Sequence, residues 1–228
     1  MGENGRFNGG AWMRALAGLA AVILLAECVS GEEIAKMERE SDGYYKQGLS
    51  HMDTNQQQAF VAFQKSIQLN PDNFDAHYAL GSVYFQRKEY AEAEREFRRC
   101  AELKPDSGEA LNFYGRTLIE LKRLPEAVGV LRKTTALPLY ATPDNAYSNL
   151  GYALFLMGDN AGAMRAYQEA LKIDPPNVPR ALLYLEVGRL YIAQGENAKA
   201  REALAQVKSL DPQGTAGAEA TRLMQKLK

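Results

Sequence analysis

Few side chains in this sequence are of the kinds that do chemistry. There are two histidines, His51 and His77, and two cysteines, Cys28 and Cys100. Neither histidine lies near a cysteine or a carboxylate cluster at the spacing of a metal site. The glycines are spread along the chain rather than clustered as a phosphate cradle requires. No catalytic residue, metal ligand or cofactor is therefore assigned, and an enzyme is not expected. His77 falls at a packing position and reads as a buried neutral histidine, and Cys100 reads as a small core residue. Cys28 is different. It stands just beyond Arg14 and a run of twelve apolar or small residues, Ala15 to Ala26. That run is shorter than the ~20 residues that span a bilayer, and it fits the apolar core of a secretory signal.

The stretch Leu25-Ala26-Glu27-Cys28 resembles a bacterial lipobox, with Glu27 where Gly, Ala or Ser is usual. The resemblance implies that Cys28 is lipidated and becomes the first mature residue. Ordinary cleavage after Ser30 and an uncleaved anchor are the competing readings. Met13 precedes Arg14, so translation starting at Met13 rather than Met1 is open. Residues 1–30 are read as an N-terminal extension and leader, and residues 31–40 as a charged tether.

The elements beyond the leader follow a repeat. Gly48, Gly81, Gly115, Gly151 and Gly188 are separated by 33, 34, 36 and 37 residues. Ala59, Ala93, Ala127, Ala163 and Ala200 follow them, 11 residues on in the first unit and 12 in the others. A helical glycine costs about 1 kcal/mol against alanine, so five in register need a packing reason. The expectation is a helix pair that crosses closely, glycine facing alanine. His77, Leu80, Gly81 and Tyr84 share one helical face, and Ala93, Phe97 and Cys100 share another. Pro71, Pro105, Pro175 and Pro212 end units, since proline cannot continue a helix.

This pattern resembles the tetratricopeptide repeat, a helix–turn–helix of about 34 residues. The resemblance implies an all-α class: a right-handed α-solenoid of five helix-turn-helix repeats at about 41–73, 74–107, 108–143, 144–180 and 181–215. One pair cannot bury its own apolar face, so neighbours must stack. Ala220, Leu223 and Leu227 share one face of residues 216–228, which are read as a capping helix. Charge is balanced, 27 basic against 28 acidic residues. No basic block stands out, so nucleic acid is not expected as a partner. The run from Glu92 to Arg99, with Glu94, Arg95, Glu96 and Arg98, reads as a solvated helix face.

In tetratricopeptide solenoids the first helix of each pair lines a concave groove. Carried over, the groove residues are Tyr45, Leu49, Tyr78, Ser82, Phe85, Asn112, Arg116, Ile119, Ser148, Tyr152, Phe155, Arg189 and Ile192. Aromatic anchors on this face fit a protein or peptide segment as the partner, apolar or amphipathic in character. Tyr45 and Leu49 stand where the family's carboxylate clamp for chaperone tails needs Lys and Asn. The third and fourth units, with Leu111-Asn112-Phe113-Tyr114-Gly115, a lengthened junction at Leu139-Tyr140, and Asn149-Leu150-Gly151, are similar to tetratricopeptide lipoproteins of type IV pilus biogenesis, the pilotin-like group. That resemblance implies a lipoprotein of the Gram-negative outer membrane that faces the periplasm and supports assembly of a secretin. A soluble periplasmic adaptor for cell-wall enzymes or outer-membrane protein assembly is the alternative.

Overall fold

The computed structural model describes residues 30–227, and every regular element among them is an α-helix. The helices are α1 (Gly31–His51), α2 (Gln56–Leu69), α3 (Phe74–Gln86), α4 (Tyr90–Leu103), α5 (Gly108–Glu120), α6 (Leu124–Thr135), α7 (Pro143–Leu156), α8 (Asn160–Lys172), α9 (Arg180–Ala193), α10 (Asn197–Leu210) and α11 (Thr215–Lys226). Side chains with short-range hydrogen bonding mark several starts. Ser30, Asn55, Asn73, Ser107 and Asp159 each accept a bond from a backbone N–H in the first turn of the helix they precede, satisfying donors the helix cannot. Every helix packs on the next along the chain, and α7 also meets α5 and α9. The result is five stacked hairpins, α1–α2 to α9–α10, covered at one end by α11.

The repeated glycine does its work differently from the expectation. The five alanines are fully buried, but they are not what the glycines face. A Cβ placed on each glycine meets the large side chain four residues beyond the alanine: Phe63, Phe97, Leu131, Tyr167 and Leu204. Helical side chains lean toward their own N-terminus. The large residue therefore covers the turn that carries the alanine and lies across the bare glycine of the partner helix. Alanine brings the backbones close, and glycine leaves the seat for the ring or the branched chain. These seated residues are buried, and they run as a line through the core.

The turns inside the hairpins repeat as well. Seven residues after the glycine, Lys88, Lys122, Gly158 and Gly195 adopt φ of 63°, 61°, 83° and 74°. This left-handed residue ends the first helix and reverses the chain. In the first hairpin the equivalent residue, Asn55, instead caps α2 with an extended φ of −154°. That turn is one residue shorter, which is why Ala59 follows its glycine by 11 residues rather than 12.

Residues 31–40, expected as a tether, are helical and continuous with α1. The outer face of α1 is polar where its counterparts are apolar. Gln47 and His51 occupy the positions held by Leu80 and Tyr84 or Leu150 and Leu154, which pack on a preceding hairpin. At the other end the cap begins at Thr215, and Ala216, Ala220 and Leu227 join Ala200, Leu204 and Val207 in one core.

Polar contacts lock the junctions. Asn73 Nδ2 donates to Ser41 Oγ (2.9 Å) and Ser66 Oγ (3.2 Å), tying the first hairpin to the second. The fully buried carboxylate of Asp144 accepts from the backbone N–H of Asn177 and of Val178, each at 2.6 Å. It thereby holds the α8–α9 connection against α7.

An added methyl at Gly115 would lie 2.6 Å from Leu131 Cγ, and one at Gly151 would lie 2.7 Å from Tyr167 Cε1. At Gly81 the nearest atom, Phe97 Cε1, is 3.0 Å away. Overpacking of the first kind costs about 1–3 kcal/mol, whereas alanine gains about 1 kcal/mol of helix propensity. Thermal unfolding is expected to show Gly115→Ala and Gly151→Ala clearly destabilised and Gly81→Ala within about 1 kcal/mol of the parent. Equal tolerance at all three would refute the seat.

Candidate partner-binding groove

Successive helical residues turn by about 100°, so the repeat glycine serves as a compass. The glycine faces its own hairpin partner. Positions four before, one before and three after it face the preceding hairpin, as His77, Leu80 and Tyr84 do. Positions three before and four after lie toward the following first helix. The wall left open carries the residues six before, one after and five after the glycine, at about 120°, 100° and 140° round the helix.

This division sorts the expected groove residues. Tyr45, Tyr78, Asn112 and Ser148 stand three before the glycine, and Phe85, Ile119, Phe155 and Ile192 stand four after it. Asn112 and Ile119 are only 6% and 3% exposed. They are junction residues rather than binding residues, because the next hairpin covers them. Asn112 Oδ1 accepts from Asn149 Nδ2 at 2.7 Å. Tyr78 is half-buried, its ring edge-on to Phe113 at 5.6 Å between centroids and to Phe97 at 5.9 Å. Phe85 also meets Phe113, at 6.1 Å. Tyr45, Ser148, Phe155 and Ile192 are likewise partly covered.

The row one after the glycine stays open. Leu49 is 47% exposed and Tyr152 40%, with Ser82, Arg116 and Arg189 half-buried between them. Ser82 Oγ donates to the Tyr78 carbonyl. The Arg116 guanidinium stands over the rings of Phe85 (4.9 Å) and Phe113 (5.2 Å), an arrangement in which the ring faces attract the cation. Arg189 is taken up by Glu186 at 2.6 Å and by Glu219 of α11 at 3.3 Å, so the cap closes that end of the wall.

Two exposed rows escaped the sequence reading. Six before the glycine stand Asp42, Asp75, Glu109, Asn145 and Leu182, and five after it stand Gln86, Glu120, Leu156 and Ala193. The signal was available, since these positions share one face with Leu49 and Tyr152 at i, i+7 and i+11 spacing. The carboxylates act on the aromatic wall. Burial first, and then the charge of Glu109, push the Tyr78 hydroxyl up to about 12. Burial and then Asp75 raise Tyr45. Both phenols are thus neutral donors at physiological pH.

Two of the groups first considered for chemistry, Cys100 and His77, lie in the packing. Burial pushes the Cys100 thiol up to about 12, which keeps it protonated and inert. His77 is buried as expected but not neutral in character. Its Nδ1 lies 2.6 Å from Glu96 Oε2 and its Nε2 2.9 Å from the Pro71 carbonyl oxygen. Two acceptors suit an imidazolium, which donates from both nitrogens. Burial alone would lower its pKa; the Glu96 hydrogen bond, the Pro71 carbonyl and the Glu96 charge outweigh it, and the net direction is up. Glu96 therefore belongs to a buried pair rather than a solvated face. Glu94 is buried too, 3.5 Å from Arg123 of the next hairpin. Cys28 lies outside the described residues.

Stacked hairpins with a glycine seat, a left-handed turn and an open first-helix wall are the architecture of a tetratricopeptide-repeat solenoid, and the chain shares that fold with solved structures. A tetratricopeptide repeat family model matches residues 154–227, and one for anaphase-promoting complex, cyclosome, subunit 3 matches residues 52–134. Among characterised proteins the chain is similar to the type IV pilus assembly protein PilF of Pseudomonas aeruginosa, 29% identical over 162 residues. The match covers 71% of this chain and spans 63% of that relative's length. The solved structure of Pseudomonas aeruginosa PilF shares the fold with a TM-score of 0.67 at 24% identity, covering 84% of this chain and 88% of the other. So does PilW, described as a widely conserved type IV pilus biogenesis factor, with a TM-score of 0.70 at 22% identity, covering 82% and 90%.

Two measurements check this geometry. A histidine whose pKa rises on folding contributes stability that is fully present below its unfolded value, about 6.5, and is lost as pH climbs through the folded value. The melting-temperature gap between the parent and His77→Gln is expected to be widest near pH 6 and to narrow toward alkaline pH. A gap that widens with pH would contradict the pair. Tyr78→Ala is expected to cost about 2–3 kcal/mol because its ring packs on Phe97 and Phe113, and Tyr152→Ala no more than about 0.5 kcal/mol. Chemical denaturation distinguishes them.

Proposed function

We propose that this chain is a non-enzymatic scaffold of the Gram-negative cell envelope, a lipoprotein anchored to the outer membrane through Cys28, that binds a secretin subunit in its groove and aids type IV pilus assembly. The observation that carries the reading is the sequence similarity to PilF across most of the repeats. The exposed wall of first helices supplies a surface for another polypeptide. The apolar run before Cys28 supplies the membrane address, and acylation would hold it there at about 0.8 kcal/mol per buried methylene.

The test is genetic and biochemical. In cells carrying Cys28→Ser, a palmitate analogue is expected to label the protein no longer, and the protein is expected to leave the membrane fraction. Secretin multimers are expected to fall in that strain and in a deletion strain. Equal labelling of parent and variant would remove the anchor, and normal multimers in the deletion strain would remove the pilus role.

A further inference from the structure

The groove wall changes character along its length. In the first three hairpins this wall carries Asp42, Asp75, Glu109 and Glu120 in its outer rows, all exposed, with Leu49 as the one large apolar side chain open among them. None of the four is within ion-pair distance of a cation among the described residues. Among other acids of the described residues Glu92, Glu96, Glu126, Glu186 and Glu219 each face an arginine or His77, whereas Glu89, Asp106 and Glu202 are scattered singly on other faces; the four groove acids share one wall. In the fourth and fifth hairpins the same rows carry no carboxylate. They show Leu156 and Leu182, 39% and 43% exposed, beside Tyr152, and the one cation there, Arg189, is already neutralised by Glu186 and Glu219.

Each half taken alone has a modest explanation, because acids near a helix start favour its dipole. That explanation covers Asp75 and Glu109, which sit in first turns. It does not cover Asp42, well inside α1, whose Oδ1 accepts only a long bond from Asn73 Nδ2 at 3.4 Å, or Glu120, at the last residue of α5, where a negative charge is unfavourable. Nor does it account for three large apolar side chains left open on the same wall where the acids stop.

We infer that the groove takes a peptide segment with a two-part composition, Lys- and Arg-rich over the first three hairpins and apolar over the last two. The inference rests on the groove-binding reading above and names the chemistry of its occupant. Unpaired carboxylates attract the basic half and repel an acidic one, which sets partner choice more than raw affinity. Tyr152, Leu156 and Leu182 bury the apolar half. Arg116, held between Phe85 and Phe113, separates the two regions and opposes a basic residue placed directly over it.

The probe is a fluorescein-labelled peptide of about 16 residues with lysines in one half and leucine, tyrosine and isoleucine in the other. A second peptide has glutamate in place of every lysine. Full-length protein is titrated in detergent, with empty micelles as the blank, and anisotropy reports binding. The lysine peptide is expected to bind at least about tenfold tighter than the glutamate peptide at low salt, the preference shrinking as salt rises. The variant Asp42→Asn/Asp75→Asn/Glu109→Gln/Glu120→Gln is expected to lose that preference with its melting curve retained. Leu156→Ser/Leu182→Ser is expected to weaken the lysine peptide several-fold without changing the salt dependence. Equal affinity for the two peptides, reduced by Leu156→Ser/Leu182→Ser, would overturn the charge assignment and leave a groove binder. Absence of binding by either peptide would also overturn it, while secretin co-purification would still judge the pilus role separately.

Discussion

The structure depends on one steric fit used five times. A large side chain on the second helix lies across a glycine on the first, and an alanine one turn away lets the backbones come close enough for it. Because the fit is local, each hairpin is assembled mostly from residues within forty positions of one another. Hairpins then add in a line, and the stability of the whole is close to a sum of units and their interfaces. The same fit fixes the rotation of the first helix about its own axis. That rotation decides which residues meet the preceding hairpin, which meet the following one, and which are left for water or a partner. The groove is a remainder, defined by what packing does not use.

The polar contacts are concentrated where the units join. Asn73, Asp144 and Asn112 are buried, and each connects one hairpin to the next, Asn112 through the half-buried Asn149. A buried polar group without a partner costs free energy, so such groups penalise a hairpin docked in the wrong register. His77 bridges, joining α3 to Glu96 of α4 in its own hairpin and to the carbonyl of Pro71 in the connection from the hairpin before. These contacts explain why several residues that resemble ligands or catalytic groups are not available as such.

Much of the fold was legible because its signals are periodic. Glycine, alanine and the terminating prolines recur at fixed spacing, and five repetitions fix the helix pairs, the junctions and the cap. Period alone does not say which of two repeating residues meets the glycine. Ala93 and Phe97 share one register, and only the lean of helical side chains selects Phe97. The groove was legible in part for a similar reason. Leu49 and Tyr152 are exposed on the open wall, whereas Asn112 and Ile119 point at a neighbour whose position a single helix does not reveal. Asp42, Asp75, Leu156 and Leu182 stand six before or five after the glycine, outside the helical positions that the family resemblance assigns to the groove, although their angle follows from spacing alone. The helical state of residues 31–40 was hidden by their charge, which resembles that of a linker. Ser30 as cap with Glu32 and Glu33 behind it was the overlooked sign.

That extra length of α1 has a mechanical consequence. Ten helical residues span about 15 Å, and they continue the first hairpin without a break. A lipid carried at Cys28 would connect to the repeats through a stiff strut from Gly31 onward. The solenoid would then stand off the bilayer at a set height and with a restricted tilt, and its concave side would sweep a narrow band of space. Bulky membrane complexes would be met at one level only, so reach, as well as affinity, would govern what is captured.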